Sequence, residues 1–82
     1  MSTQKLSIRE IKAARALLDW SQYDLADHSG VSQPTIGRLE AKDGEIGGRA
    51  DTEQKIRRAL EKAGIEFLNG DQPGVRLRKK KA

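Results

Sequence analysis

Residues 21–40 read SQYDLADHSGVSQPTIGRLE. Two short amphipathic runs lie either side of Gly30, and each opens on a serine. Neither run is long enough to be stable alone, since isolated helices below about 12–15 residues are marginal in water. Ser21, with Asp24 three positions later, predicts a capped helix whose inward side carries Leu25 and Ala26. Gly30 suits the left-handed residue that ends such a helix. Val31 is the apolar residue of the turn. Ser32 caps the second helix, Pro34 falls in its first turn, where a missing N–H costs nothing, and Ile36 and Leu39 form its inward side. The turn is too short for an antiparallel return, so the two helices are expected to cross sharply.

Working outward, Ser7 and Glu10 form a capping-box pattern ahead of IREIKAARALL. Ile8, Ile11, Ala14, Leu17 and Leu18 recur at helical spacing, which predicts a helix over 8–18 that stops at Asp19-Trp20. Met1 to Leu6 has no period and reads as a loose arm. Lys42 to Ala50 holds three glycines and reads as a loop, with Ile46 as its one large apolar residue and a candidate core plug. Asp51 with Gln54 suggests a cap for a fourth helix over about 52–63, with Ile56, Ala59, Leu60 and Ala63 on one side and Gly64 as its stop. The period then drops to two. Ile65 and Phe67, then Val75 and Leu77 after NGDQPG, predict a β-hairpin with a six-residue turn. Glu66 on its other side faces Arg76 or Arg78.

The 82 residues predict one small domain without disulfides, since there is no cysteine. No apolar run approaches the roughly 20 residues of a membrane span, and the first residues contain no signal-peptide core, so a cytoplasmic protein is expected. Net charge is +4, yet residues 76–81, RLRKKK, hold five of the 16 Lys and Arg and leave 11 basic against 12 acidic residues elsewhere. A near-neutral body with a basic end favours a polyanionic partner. A solvated tail that serves solubility is the competing reading.

The run Arg15-x-x-x-Asp19-Trp20-Ser21-Gln22, followed by L-A-x-x-x-G-V-S-x-x-T-I from Leu25 to Ile36 and then by Leu39-Glu40, resembles the Xre family, the small helix-turn-helix regulators that include the Cro and lambda repressors. The likeness covers about residues 8–63. The resemblance implies a mainly α fold, a lambda repressor-like bundle of about four helices, here extended by the hairpin. The residues then divide the chain into a helix-turn-helix domain at 1–64, a hairpin at 65–78 as the expected dimerisation element, and a basic tail at 79–82. The resemblance also implies a sequence-specific, nucleoid-associated transcriptional regulator, expected to be a repressor that binds double-stranded DNA as a homodimer at an inverted repeat. Residues 33–41 would then be the recognition helix and 22–29 its brace.

Gln33, Pro34 and Arg38 are the candidate base contacts. A glutamine amide both donates and accepts, matching adenine N6 and N7, proline can touch a thymine methyl, and arginine can grip guanine O6 and N7. Gly37 would let the helix come close to DNA. Ser21 and Gln22, at a helix N-terminus suited to phosphate, are candidate backbone contacts, as are Thr35 and Lys42. The resemblance assigns Arg15 and Glu40 to a structural ion pair, a bidentate match of guanidinium and carboxylate. Ile65, Phe67, Val75 and Leu77 either fold back on the helices or lie at a twofold interface, with the strand edge available for pairing. The alternative function is a protein-interaction module of the same fold, an antitoxin or anti-activator, whose outer surface should carry large apolar residues. Stacking aromatics suited to single-stranded RNA are almost lacking. His28, Asp24 and Asp27 lie on one short helix without a further histidine or cysteine, so no metal is expected. No nucleophile with a nearby general base points to an enzyme, and no cofactor is implied.

Overall fold

The computed structural model describes residues 6–42, 50–68 and 74–78. Four helices precede a two-stranded hairpin: α1 (Ile8–Leu18), α2 (Gln22–Ser29), α3 (Gln33–Glu40), α4 (Ala50–Lys62), β1 (Ile65–Leu68) and β2 (Gly74–Leu77).

Local chemistry accounts for the first three helices. Glu10 N–H donates to Ser7 Oγ while Ser7 N–H donates to Glu10 Oε1, closing a capping box on α1. Ser21 and Asp24 do the same for α2. Ser32 Oγ accepts from Thr35 N–H on α3, with Pro34 in the first turn. Gly30 ends α2 at φ 76°, a conformation natural to glycine. α1 ends differently, on Asp19 at φ 59°. Asparagine and aspartate are the residues beside glycine that enter this region most readily.

The core joins all of these elements. Leu6, Ile8, Ile11, Leu25, Ile36, Ile56, Leu60 and Ile65 are its largest fully buried side chains. Leu18, Trp20, Leu39, Phe67 and Val75 pack around it. Helices of eight residues therefore persist because each contributes to a shared interior, not through propensity.

Several expectations change. Leu6 is no part of a loose arm: its side chain is buried and its N–H donates to Glu53 Oε2 at 2.7 Å, tying the approach to α1 onto α4. Leu17, expected to face inward, is 45% exposed. α4 starts at Ala50, so Asp51 lies within its first turn instead of capping it. Acidic groups there still favour the helix through its dipole. Gly74 belongs to β2, which leaves 69–73 as the connection between the strands. Ile46 and the lysines of the tail lie outside the described residues.

The hairpin is antiparallel, with Ile65 opposite Leu77, Glu66 opposite Arg76, Phe67 opposite Val75 and Leu68 opposite Gly74. Glu66 bonds Arg76 at 2.5 Å and lies 3.4 Å from Arg78. The apolar side folds back onto the helices. Ile65 is buried, Phe67 and Val75 are half-buried, and the Arg57 guanidinium of α4 lies 5.0 Å from the Phe67 ring centre. Of the four residues considered for a twofold interface, only Leu77 is exposed, at 41%. The physical reason is that the helices alone leave one side of a small core open, and the hairpin closes it. Ile65→Ala should therefore cost about 2–5 kcal/mol, the usual range for a buried isoleucine. Urea denaturation of the two proteins checks this, and a cost below about 1 kcal/mol would show that the hairpin is not part of the core.

Candidate nucleic-acid interface

α3 presents two different sides. Ile36 and Glu40 are buried, and Leu39 packs at the edge of the core. Pro34 and Arg38 are exposed, while Gln33 and Thr35 are half-buried. The Thr35 hydroxyl is bracketed by neighbours: it lies 2.8 Å from Ser32 Oγ and accepts from Arg38 Nη2 at 3.5 Å. Lys42 is exposed just past the helix end. Ser21 Oγ is occupied as the cap of α2.

Among the described residues, Glu40 is the buried polar residue of the core, 6% exposed. Arg15 of α1 meets it side-on, with Nε 2.8 Å from Oε2 and Nη2 2.6 Å from Oε1. The third guanidinium nitrogen, Nη1, donates to the Trp20 carbonyl at 2.8 Å. One side chain thus links α1, the α1–α2 junction and the end of α3. Burial by itself would raise the Glu40 carboxyl. The hydrogen bonds from Arg15 and Gln22, with the positive charges of Arg15 and Lys12, outweigh burial and hold it below the ordinary carboxylate range. The same carboxylate holds the Arg15 guanidinium above its ordinary value, against the lowering effect of its own burial.

The network continues outward. Gln22 Nε2 donates to Glu40 Oε1 at 3.1 Å, and Gln33 Nε2 donates to Gln22 Oε1 at 2.9 Å. Gln22 and Gln33 each open their helix. A Cβ added at Gly37, one turn after Gln33, would touch this pair, 3.4 Å from both Gln22 Oε1 and Gln33 Nε2. The link from Gln22 to Glu40 was missed in the sequence, where Gln22 stood only as a phosphate contact. The recurrence of glutamine at the first position of two successive helices was the available signal. Away from this network, Trp20 stacks on His28, with ring centres 4.3 Å apart and planes 7° from parallel. Among the described residues no group of three or more His, Asp or Glu side chains is placed to hold a metal ion.

Residues 11–49 match a family model described as helix-turn-helix. The match is consistent with an Xre, lambda repressor-like helix-turn-helix domain over this segment. A domain of this kind indicates a DNA-binding helix-turn-helix regulator. No curated protein matches the chain. In helix-turn-helix docking the second helix of the motif enters the major groove with its N-terminal residues toward the bases. Here that helix is α3, and its N-terminus carries Gln33 and Pro34. No helix among the described residues is long and apolar enough to cross a membrane.

Removing one partner of a buried ion pair costs about 3–5 kcal/mol, because the other charge stays behind unpaired. The Glu40 side chain is 4% exposed and that of Arg15 20%, so Arg15→Ala should lower the melting temperature more than Glu40→Ala. A double-mutant cycle on thermal stability that shows no coupling would rule out an energetic role for the pair.

Acid should reveal the same contact. A carboxyl that titrates lower when folded contributes stability that is complete above its unfolded pKa of about 4.3 and is lost as the pH falls through the lower, folded value. Stability of the wild type should decline below about pH 4 more steeply than that of Glu40→Ala. Parallel declines would show that another carboxylate governs the loss.

Proposed function

We propose that the protein is a sequence-specific transcriptional regulator that represses by occupying an inverted-repeat operator as a homodimer in the cytoplasm. The observation that carries this reading is the N-terminus of α3, where Gln33 is held by a hydrogen-bonded network beside exposed Pro34 and Arg38. Gln33 reads adenine in the major groove, Pro34 touches a neighbouring thymine methyl, and Arg38 grips guanine or a phosphate. Ser21, Gln22, Thr35 and Lys42 fix the register on the backbone. The outer side of α3 bears no large apolar residue, which favours DNA over a protein partner.

Dimerisation gives two recognition helices the spacing of one helical turn of DNA, about 34–36 Å. With the apolar side of the hairpin turned inward, the twofold contact rests on the open edge of a two-stranded sheet and on exposed Leu77. Unpaired strand edges are ready templates for another strand. The basic tail, residues 79–82, adds phosphate contacts.

Gln33→Ala should weaken operator binding by about 1–3 kcal/mol while leaving binding to random duplex nearly unchanged. Titration of both duplexes by fluorescence anisotropy checks it, and an unchanged operator affinity would remove Gln33 from base reading. Deleting residues 79–82 should flatten the slope of log affinity against log salt by about 0.9 for each phosphate that the tail neutralises. An unaltered slope would leave the tail with a role in solubility.

A further inference from the structure

Glu40 does more in this geometry than anchor Arg15. An ionised carboxylate has acceptors and no donor, so a glutamine beside it must turn its NH2 toward it. Gln22 does so, with Nε2 3.1 Å from Glu40 Oε1. That turn leaves Gln22 Oε1 facing the other way, and an amide oxygen can only accept. Gln33 must therefore bring its own NH2 to Gln22, and Nε2 lies 2.9 Å from Gln22 Oε1. Each amide is set by the one before it. What Gln33 has left for DNA is its Oε1 acceptor and one N–H donor, side by side. Adenine offers an N6 donor and an N7 acceptor there, whereas guanine offers two acceptors, O6 and N7.

We propose that Glu40 is a positioning residue for base recognition, acting through Gln22 to set which way the Gln33 amide faces and so to make it prefer adenine over guanine. This rests on Gln33 being a base contact, and it assigns the choice of base to a buried residue that touches no DNA. Were Glu40 replaced by an amide, either end could face Gln22. Arg15 donates to both carboxylate oxygens, so the new NH2 would meet one of its N–H groups in either orientation, and the orientation with NH2 toward Gln22 turns the Gln33 NH2 outward with two donors free for guanine.

The test starts from an operator selected by the wild-type protein out of a randomised duplex library. The position read by Gln33 is the one whose base preference disappears in Gln33→Ala. Two duplexes, with adenine or guanine there, are titrated against wild type, Glu40→Gln and Arg15→Lys. Wild type should prefer adenine by about ten-fold or more, as a good bidentate contact does. Glu40→Gln should lose most of that preference while keeping its affinity for random duplex. Arg15→Lys also disrupts the bidentate pair, but it keeps the carboxylate charged and accepting. It should lose stability and keep the preference, a split that a purely structural role of the pair would not produce. Equal loss in both variants, or full preference in Glu40→Gln, overturns the proposal. If Glu40→Gln does not fold, Gln22→Met replaces it, cutting the relay with the ion pair intact. Full adenine preference in Gln22→Met overturns the proposal, and its loss supports it. A wild-type protein that selects no sequence overturns the operator-binding function itself, and the relay falls with it. A selected operator that is insensitive to Gln33→Ala removes the base contact on which the relay acts.

Discussion

The contact between Arg15 and Glu40 is the constraint from which the arrangement of the first three helices follows. A charge on the inner side of a short helix is costly unless it is paired and fully hydrogen-bonded. Here it is paired side-on with a guanidinium that also holds the Trp20 carbonyl. The carboxylate can be satisfied only when α1, the entry to α2 and the end of α3 are all in place. A small core of aliphatic side chains has several ways to pack at similar energy. A directional bond of this kind singles out one. That specificity role is best judged against an apolar replacement of both partners, which in some proteins is tolerated or even stabilising.

The balance between local and shared stability runs through the whole fold. α2 and α3 each have a serine cap and contribute one fully buried large aliphatic residue, Leu25 and Ile36, to the common interior. Neither helix has enough buried area to stand alone. The hairpin is in the same position, since two strands by themselves are marginal. It gains from Ile65 inside the core and from Phe67 packed under Arg57. Each element therefore depends on the others, and loss of one weakens all.

This division also explains what could be read in advance. The starts of α1, α2 and α3 were legible because each is written in a few adjacent residues: Ser7 with Glu10, Ser21 with Asp24, Ser32 with Pro34. Gly30 was legible for the same reason. The start of α4 was not, because acidic residues suit a first turn as well as a cap, and Asp51 satisfies either description. The alternation from Ile65 to Leu77 disclosed an apolar side but not what covers it, which depends on the gap left by the helices. Leu6 likewise reads as part of an arm until Glu53, 47 residues further on, supplies its partner. Among the candidate contacts, local sequence placed Gln22 and Gln33 at helix starts. Their bond to one another, and through Gln22 to Glu40, arises from three-dimensional proximity that no local spacing encodes.

The short connection from Gly30 to Gln33 has a consequence for how such a protein can change over time. Each residue of an α-helix advances its side chains by about 100° around the axis. Gln33 meets Gln22 only because two residues, Val31 and Ser32, separate it from Gly30. With the helix axis kept in place, adding or deleting one residue in this stretch would turn α3 by about 100° and take Ile36 off its buried position. Substitutions on the outer side of α3 leave that phase untouched. Length variation in the turn is therefore closed to this fold, while variation in side chains along α3 is open, and a new binding preference can arise residue by residue without redesign of the scaffold.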